Sequence, residues 1–409
     1  MRSDLDRLMA EHEIDAFFIP ETEGENVYRD YLTGGVHASP FILKKRGEAP
    51  ILMVFGMERE EAAKSGLAVL TFEEIGRMEL IGQYGRGTNA ELTAFYQLLV
   101  ERFDINGGVT LYGTANIQYT MRLMEIFQAL QGKIQIIRDK APDIFDVAAE
   151  TKDASELEKM REVGKRTGAV MQMTRDWIST HRGENGQVVT AEGKPLTIGD
   201  VKRFLRLKLL EQGLEDGGVT IFAQGRDAGI PHSRGEENEI LRPGESIVFD
   251  LFPRTIGGGY YHDMTRTWSL GFAREDVQQA YEQVLSVFHR SLEGIEIGQP
   301  TNQVDKEVCR LFEAAGHPTK MSTPKTHEGY VHSLGHGLGL RVHEAPAISQ
   351  FAADSTVFKA GHVVTIEPGL YYPSKGYGVR IEDTVYLDEN GQLINLTDCP
   401  YDLVVPLRG

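Results

Sequence analysis

The sequence predicts an α+β protein in two domains: a smaller α/β domain over residues 1–150, and a larger one over 151–409 in which helices flank a largely antiparallel sheet. Three observations lead there. At 409 residues the chain exceeds one ordinary core. Its first 140 or so residues alternate helical and short-strand signals, whereas later segments pair long amphipathic helices with runs of β-branched and aromatic residues. Between them the pattern dissolves, in RDKAPDIFDVAAETKDA from Arg138.

In order along the chain, Leu5, Leu8 and Met9 share one helical face, and AFFIP, PILMVFG, LAVLTF and GVTLYG follow as short buried strands. Ser155 and Glu158 then read as a capping box opening a helix that buries Leu157, Met160, Gly164, Thr167, Met171 and Thr174. A second helix carries Val201, Phe204, Leu205 and Leu209 and stops at Gly213. Two more carry Val277, Tyr281, Val284, Phe288 and Leu292, and Val304, Val308, Leu311, Phe312 and Ala315. GVTIFAQG, SIVFDLF, YYHDMTRTW, HVVTIEPGLYY and GVRIEDTVYL supply the strands.

Composition narrows the class of function. A formal charge of −17 repels phosphate backbones, and no basic patch offsets it, so nucleic acid is not an expected partner. No apolar run approaches membrane-spanning length, and the acids among the first residues do not resemble a secretory leader. Two cysteines, Cys309 and Cys399, make no disulfide framework, which suits a reducing cytoplasm.

Acidic and imidazole groups at particular places carry the chemical signal. In IVFDLFPRTIGGGYYHDMTRTW, two strand-like runs meet at three glycines, so Asp250 and Asp263 are expected opposite each other across a hairpin centred at Ile256–Gly257. Carboxylates on one buried face repel unless a cation or proton neutralises them; the plainer alternative is a turn-capping Asp beside a solvated one. The glycine-rich turn does not lead into a helix as a nucleotide loop would. VHSLGHGLGLRVHEAP brings His332, His336 and His343 among glycines that permit close backbone approach, and the HExxH order of a zinc-binding helix is absent. Glu367 and Glu382 sit in apolar strand signals, where an ionised carboxylate is costly unless paired or bound to metal; an Arg380–Glu382 pair is the structural alternative.

Together these segments closely resemble the pita-bread metallopeptidases: aminopeptidase P, prolidase and methionine aminopeptidase. The motifs GHGLGL, HEAP, IEPG and RIED carry the likeness from about residue 155 onward. DYLTGG at 30–35 resembles the creatinase-type N-terminal domain of aminopeptidase P and prolidase. The resemblance implies two divalent cations. Asp250 would bind one, His336 and Glu367 the other, and Asp263 and Glu382 would bridge them. His232, His332 and His343 would hold substrate and stabilise the transition state, and Arg380 would orient the bridging carboxylates. Paired cations lower the pKa of a water, and Glu367 is the expected carrier of its proton. Carboxylate-rich ligation suits Mn²⁺, with Co²⁺, Fe²⁺ or Zn²⁺ as alternatives.

The implied substrate is a small peptide with proline at its second position, and the implied assembly is a homodimer. Asp250 and Asp263 stand two positions further apart than in most relatives, which adds one residue per strand and preserves side-chain parity. Many prolidases carry an arginine where Ala347 stands here, one that clamps a dipeptide's carboxylate. Its absence favours aminopeptidase P-like activity over strict dipeptidase activity. A protein-binding module without catalysis, and hydrolysis of a non-proline C–N bond, are the competing readings.

Overall fold

The computed structural model describes residues 4–22, 24–130, 132, 134–216 and 219–408. It divides into two compact units, Met1–Ala149 with Gly257–Gly259, and Glu150–Ile256 with Tyr260–Gly409.

The first unit is built on a mixed six-stranded sheet. Its order runs Ala68–Thr71, Ile51–Val54, Phe41–Lys45, Ala16–Ile19, Gly107–Leu111, Ile134–Ile136. Ala16–Ile19 lies centrally, antiparallel to Phe41–Lys45 and parallel to Gly107–Leu111, and all four of its residues are buried, as a two-sided strand requires. Phe41–Lys45 and Ile134–Ile136 add to the four strands expected from sequence. The first ends in two lysines and the second has three residues, so neither shows a clear alternation. Phe18, Phe41, Phe95, Tyr96 and Phe127 interlock in the core, with Tyr96 and Phe127 rings 4.5 Å apart.

In the second unit the helix Ala154–Ser179 opens on Asp153, not on Ser155. The Asp153 side chain accepts from the Ser155 and Glu156 backbone N–H groups, and the Glu156 side chain returns to the Asp153 N–H. The same box chemistry occurs two residues earlier because Asp serves as well as Ser and carries charge that suits a helix N-terminus. The buried face is the expected one, including Gly164 and Thr167.

Among the described residues, two larger sheets and three two-stranded ones form the rest, the pair Gly369–Tyr372 with Tyr377–Arg380 among them. One larger sheet has the order Ile221–Gln224, Ser246–Leu251, Met264–Leu270, Val404–Val405, antiparallel except for the last pair. The other runs Glu344–Ile348, Gly335–Gly337, Val363–Ile366, Asp383–Leu387, Leu393–Asn395, antiparallel throughout. Helices Ala154–Ser179 and Ile198–Glu211 share a core with Phe249 and Trp268 of the first sheet. Helices Glu275–Glu293 and Thr301–Ala314 share another with Val364, Ile366 and Val385 of the second. Between the sheets the fully buried Arg266 pairs with buried Asp383 at 2.9 Å and donates to the Glu382 carbonyl. Among the described residues no helix is long and apolar enough to cross a membrane.

Candidate metal centre

Asp250 lies in Ser246–Leu251, a strand whose six residues are all buried. Its partner across the ladder is Thr265, not Asp263 as the sequence suggests. Arg254 pairs with Tyr261 and the His262 N–H reaches the Pro253 carbonyl, so the hairpin turns between Gly257 and Gly258. Both those glycines have φ above +80°, a conformation that draws the turn onto them and away from Ile256. The register therefore moves by two residues. Side chains alternate with period two, so Asp263 keeps the Asp250 face and sits diagonal to it, just before Met264.

Glu367 and Glu382 stand at breaks between strands instead of within them. Glu367 follows Val363–Ile366 and precedes Pro368, which has no N–H for a ladder; its own N–H binds the Leu334 carbonyl at 2.7 Å. Glu382 separates Tyr377–Arg380 from Asp383–Leu387 and forms an isolated antiparallel bridge with Thr265. His336 is extended in Gly335–Gly337, between Glu344–Ile348 and Val363–Ile366. A Cβ on Gly335 would meet the Thr365 carbonyl oxygen at 2.0 Å, so glycine is what lets this strand lie so close. Gly335→Ala is expected to cost roughly 1–3 kcal/mol by displacing the strand that carries His336. An unchanged urea midpoint would show that the close approach is dispensable.

These breaks aim side chains at one point. His336 Nδ1 lies 3.0 Å from the Gly337 carbonyl, which places the proton there and leaves Nε2 as the acceptor. That Nε2 is 3.6 Å from Glu367 Oε1 and 3.8 Å from Asp263 Oδ2. One ligand atom each from Asp263, His336 and Glu382 fall within 4.8 Å of one another. Asp250 Oδ1 and Asp263 Oδ1 are buried without a hydrogen-bond partner among the described residues. Burial, and then the charges of Glu382 and Asp250, push Asp263 well above the usual carboxylate range. Burial also raises Glu367 and Glu382, the latter further through Glu367 and Asp250. Orphaned carboxylate oxygens converging beside an imidazole nitrogen fit a divalent cation of hard to borderline character.

The remaining sequence candidates surround this set. His332 Nδ1 is 3.0 Å from the Ser333 carbonyl and 3.3 Å from Glu367 Oε2, while its Nε2 lies 3.3 Å from His232 Nε2. The exposed His343 packs edge-on to His336, with ring centres 4.4 Å apart. Burial holds His332 near 3 and His336 near 4, and lowers His343, so all three are neutral around pH 7. The His343 hairpin is anchored next door by Glu344, which accepts from Lys152 Nζ at 2.8 Å and from the Arg341 N–H at 3.0 Å.

Arg380 is fully buried, and its ion-pair partner is Asp250, through Nη2 to Oδ2 at 2.5 Å. Its Nη1 donates to the Tyr371 hydroxyl and the Pro231 carbonyl, and its Nε to Thr265 Oγ1. Arg380 thus reaches Glu382 through Thr265 and not by direct pairing. Thr265 and Tyr371 were not singled out by sequence. Thr265 is readable in retrospect, two residues after Asp263 and hence on its face.

The model of metallopeptidase family M24 matches residues 158–389, a stretch that contains all five candidate ligands. The chain is 39% identical over 172 residues to the Xaa-Pro dipeptidase of Pyrococcus furiosus, a match spanning 42% of this chain and 45% of that protein. The matched stretches cover less than two thirds of the first such relatives. Its fold superposes on the prolidase from Pyrococcus furiosus with a TM-score of 0.72 and 26% identity, over 97% of this chain and 99% of that one. On the X-Pro aminopeptidase from Thermotoga maritima the TM-score is 0.76 at 24% identity, over 98% and 100% of the two chains. The architecture is the pita-bread α+β fold expected from the sequence. The chain belongs to metallopeptidase family M24.

Proposed function

We propose that this protein is a metal-dependent Xaa-Pro peptidase, which removes an N-terminal residue that precedes proline. The observation that carries this reading is the convergence of Asp263, His336 and Glu382, with Glu367 beside His336 and Asp250 beside Asp263, on buried oxygens that lack partners. In this reading Asp250, Asp263, His336, Glu367 and Glu382 hold two divalent cations, Mn²⁺ foremost. Such a pair supplies Lewis acidity toward the scissile carbonyl and lowers the pKa of the attacking water.

The chain's own groups do the rest. Glu367 takes the proton from the attacking water and passes it toward the leaving nitrogen. The Nδ1–H of His332, bonded to the Ser333 carbonyl, lies 3.3 Å from Glu367 Oε2 and places a positive dipole beside that carboxylate, with His232 donating to the other ring nitrogen. His343, neutral and exposed beside the centre, supplies a donor to charge developing on the carbonyl oxygen. Arg380 holds Asp250 in place by a charge-assisted bond.

Ala347 is exposed in the strand Glu344–Ile348 and offers no cation for a dipeptide's carboxylate. This supports aminopeptidase P-like action on longer peptides. The dipeptidase names of relatives such as the Pyrococcus furiosus protein favour prolidase activity as the second reading. The Mn²⁺-loaded protein is expected to cleave Xaa-Pro-Yaa peptides with a higher kcat/KM than Xaa-Pro dipeptides. Preference for the dipeptide would establish the prolidase reading, and inertness toward both would sink the assignment. In this proposal residues 1–150 form a creatinase-type domain, and the protein works as a cytoplasmic homodimer. Retention of every candidate ligand weighs against a protein-binding module that has lost catalysis.

A further inference from the structure

We propose that Thr265 is a positioning residue, whose hydroxyl locks Glu382 into its ligating orientation and couples it to Asp250 on the other side of the centre. The inference rests on the metal-centre reading above.

Thr265 is fully buried, directly opposite Asp250 in the ladder between Ser246–Leu251 and Met264–Leu270. Its hydroxyl has two polar neighbours: Arg380 Nε at 3.1 Å and Glu382 Oε2 at 2.7 Å. The direction of both bonds is forced. A guanidinium N–H only donates, so Oγ1 accepts from Arg380, and the single hydroxyl proton must go to Glu382 Oε2. The same arginine donates from Nη2 to Asp250 Oδ2. One unbroken donor chain therefore runs from Arg380 to two ligand carboxylates, directly to Asp250 and through Thr265 to Glu382.

The backbone reinforces this. Thr265 and Glu382 exchange N–H to carbonyl bonds at 3.3 and 3.1 Å, so the Glu382 side chain leaves a fixed Cα and is then fixed a second time at Oε2. Among the described residues no donor bonds to Oε1, which leaves it as the oxygen open to a cation. Packing alone does not call for a hydroxyl here, because valine has the same branched shape and suits a strand. Partners that orient metal ligands typically contribute 10–100-fold to metal affinity.

The test uses the full-length chain, stripped of metal and titrated with Mn²⁺. Free Mn²⁺ is followed by its electron paramagnetic resonance signal, and folding by circular dichroism. Thr265→Val is expected to weaken Mn²⁺ binding by about 10–100-fold, whereas Thr265→Ser, which keeps the hydroxyl, stays within about threefold of wild type. Thr265→Ala serves as a second hydroxyl-free variant should valine disturb the sheet. Wild-type affinity in a folded Val or Ala variant overturns the proposal, as does a Ser variant as weak as Val. A wild-type chain that binds none of Mn²⁺, Co²⁺ or Zn²⁺ overturns the metal-centre reading and this inference together, an outcome distinct from the other two.

Discussion

Glu367→Gln is expected to lower kcat/KM toward an Xaa-Pro-Yaa peptide by about 10²–10⁴-fold, the usual range for loss of a positioned general base. The substitution preserves shape in a side chain that is only 4% exposed, so packing barely changes. Its chemistry changes at both ends. His332 Nδ1 carries the proton that the Ser333 carbonyl accepts, and that N–H sits 3.3 Å from Glu367 Oε2, where only an oxygen is compatible with it. A glutamine must therefore turn its oxygen to His332, and its NH₂ then faces His336 Nε2 and the proposed cation position. The opposite flip sets donor against donor. Metal content measured alongside kinetics separates the two roles: activity lost with cations retained assigns proton transfer, and activity lost with the cations assigns ligation. Wild-type turnover would remove Glu367 from both.

The largest expected stability effect is at Arg380. Arg380→Met should destabilise the metal-free chain by about 3–5 kcal/mol, the cost of removing one partner from a buried ion pair. The guanidinium is 1% exposed and holds four groups at once: Asp250, Thr265, Tyr371 and the Pro231 carbonyl. Methionine fills most of the volume but leaves the Asp250 carboxylate buried beside three other carboxyls. Arg380→Lys should recover only part of the loss, because an ammonium lacks the fork that spans Asp250, Thr265 and Tyr371. Urea unfolding of the three proteins reads this directly. Midpoints that coincide would mean that Arg380 does not hold the carboxyl cluster together.

The segments of the candidate ligands were legible in the sequence because charge inside apolar strand signals is costly, and Asp250, Asp263, Glu367 and Glu382 all stand in such settings. Helical faces were equally legible: every residue named for the helix Ala154–Ser179 is buried. What escaped depends on backbone choices that leave weak traces. The hairpin register slipped by two residues because three consecutive glycines offer several equivalent turn centres. Parity kept Asp250 and Asp263 on one face without fixing the pairing. The strand breaks at Glu367 and Glu382 were hidden within long apolar runs, although Pro368 marks the first. Thr265 and Tyr371 act through hydroxyls, and a hydroxyl in a strand has no pattern that separates positioning from packing.

The parallel pairing of Val404–Val405 with Ser269 and Leu270 bears on how the protein is made. The strand Met264–Leu270 leaves the ribosome long before Glu382, which pairs with its Thr265 end, and before residues 404 and 405, which pair with its Ser269–Leu270 end; until they emerge, that edge has no strand partner. An unpaired apolar strand is a template for association with other chains. The nascent protein thus passes through a window in which the strand that carries Thr265 shows an unpaired edge, and that window closes only when segments made later return to cover it.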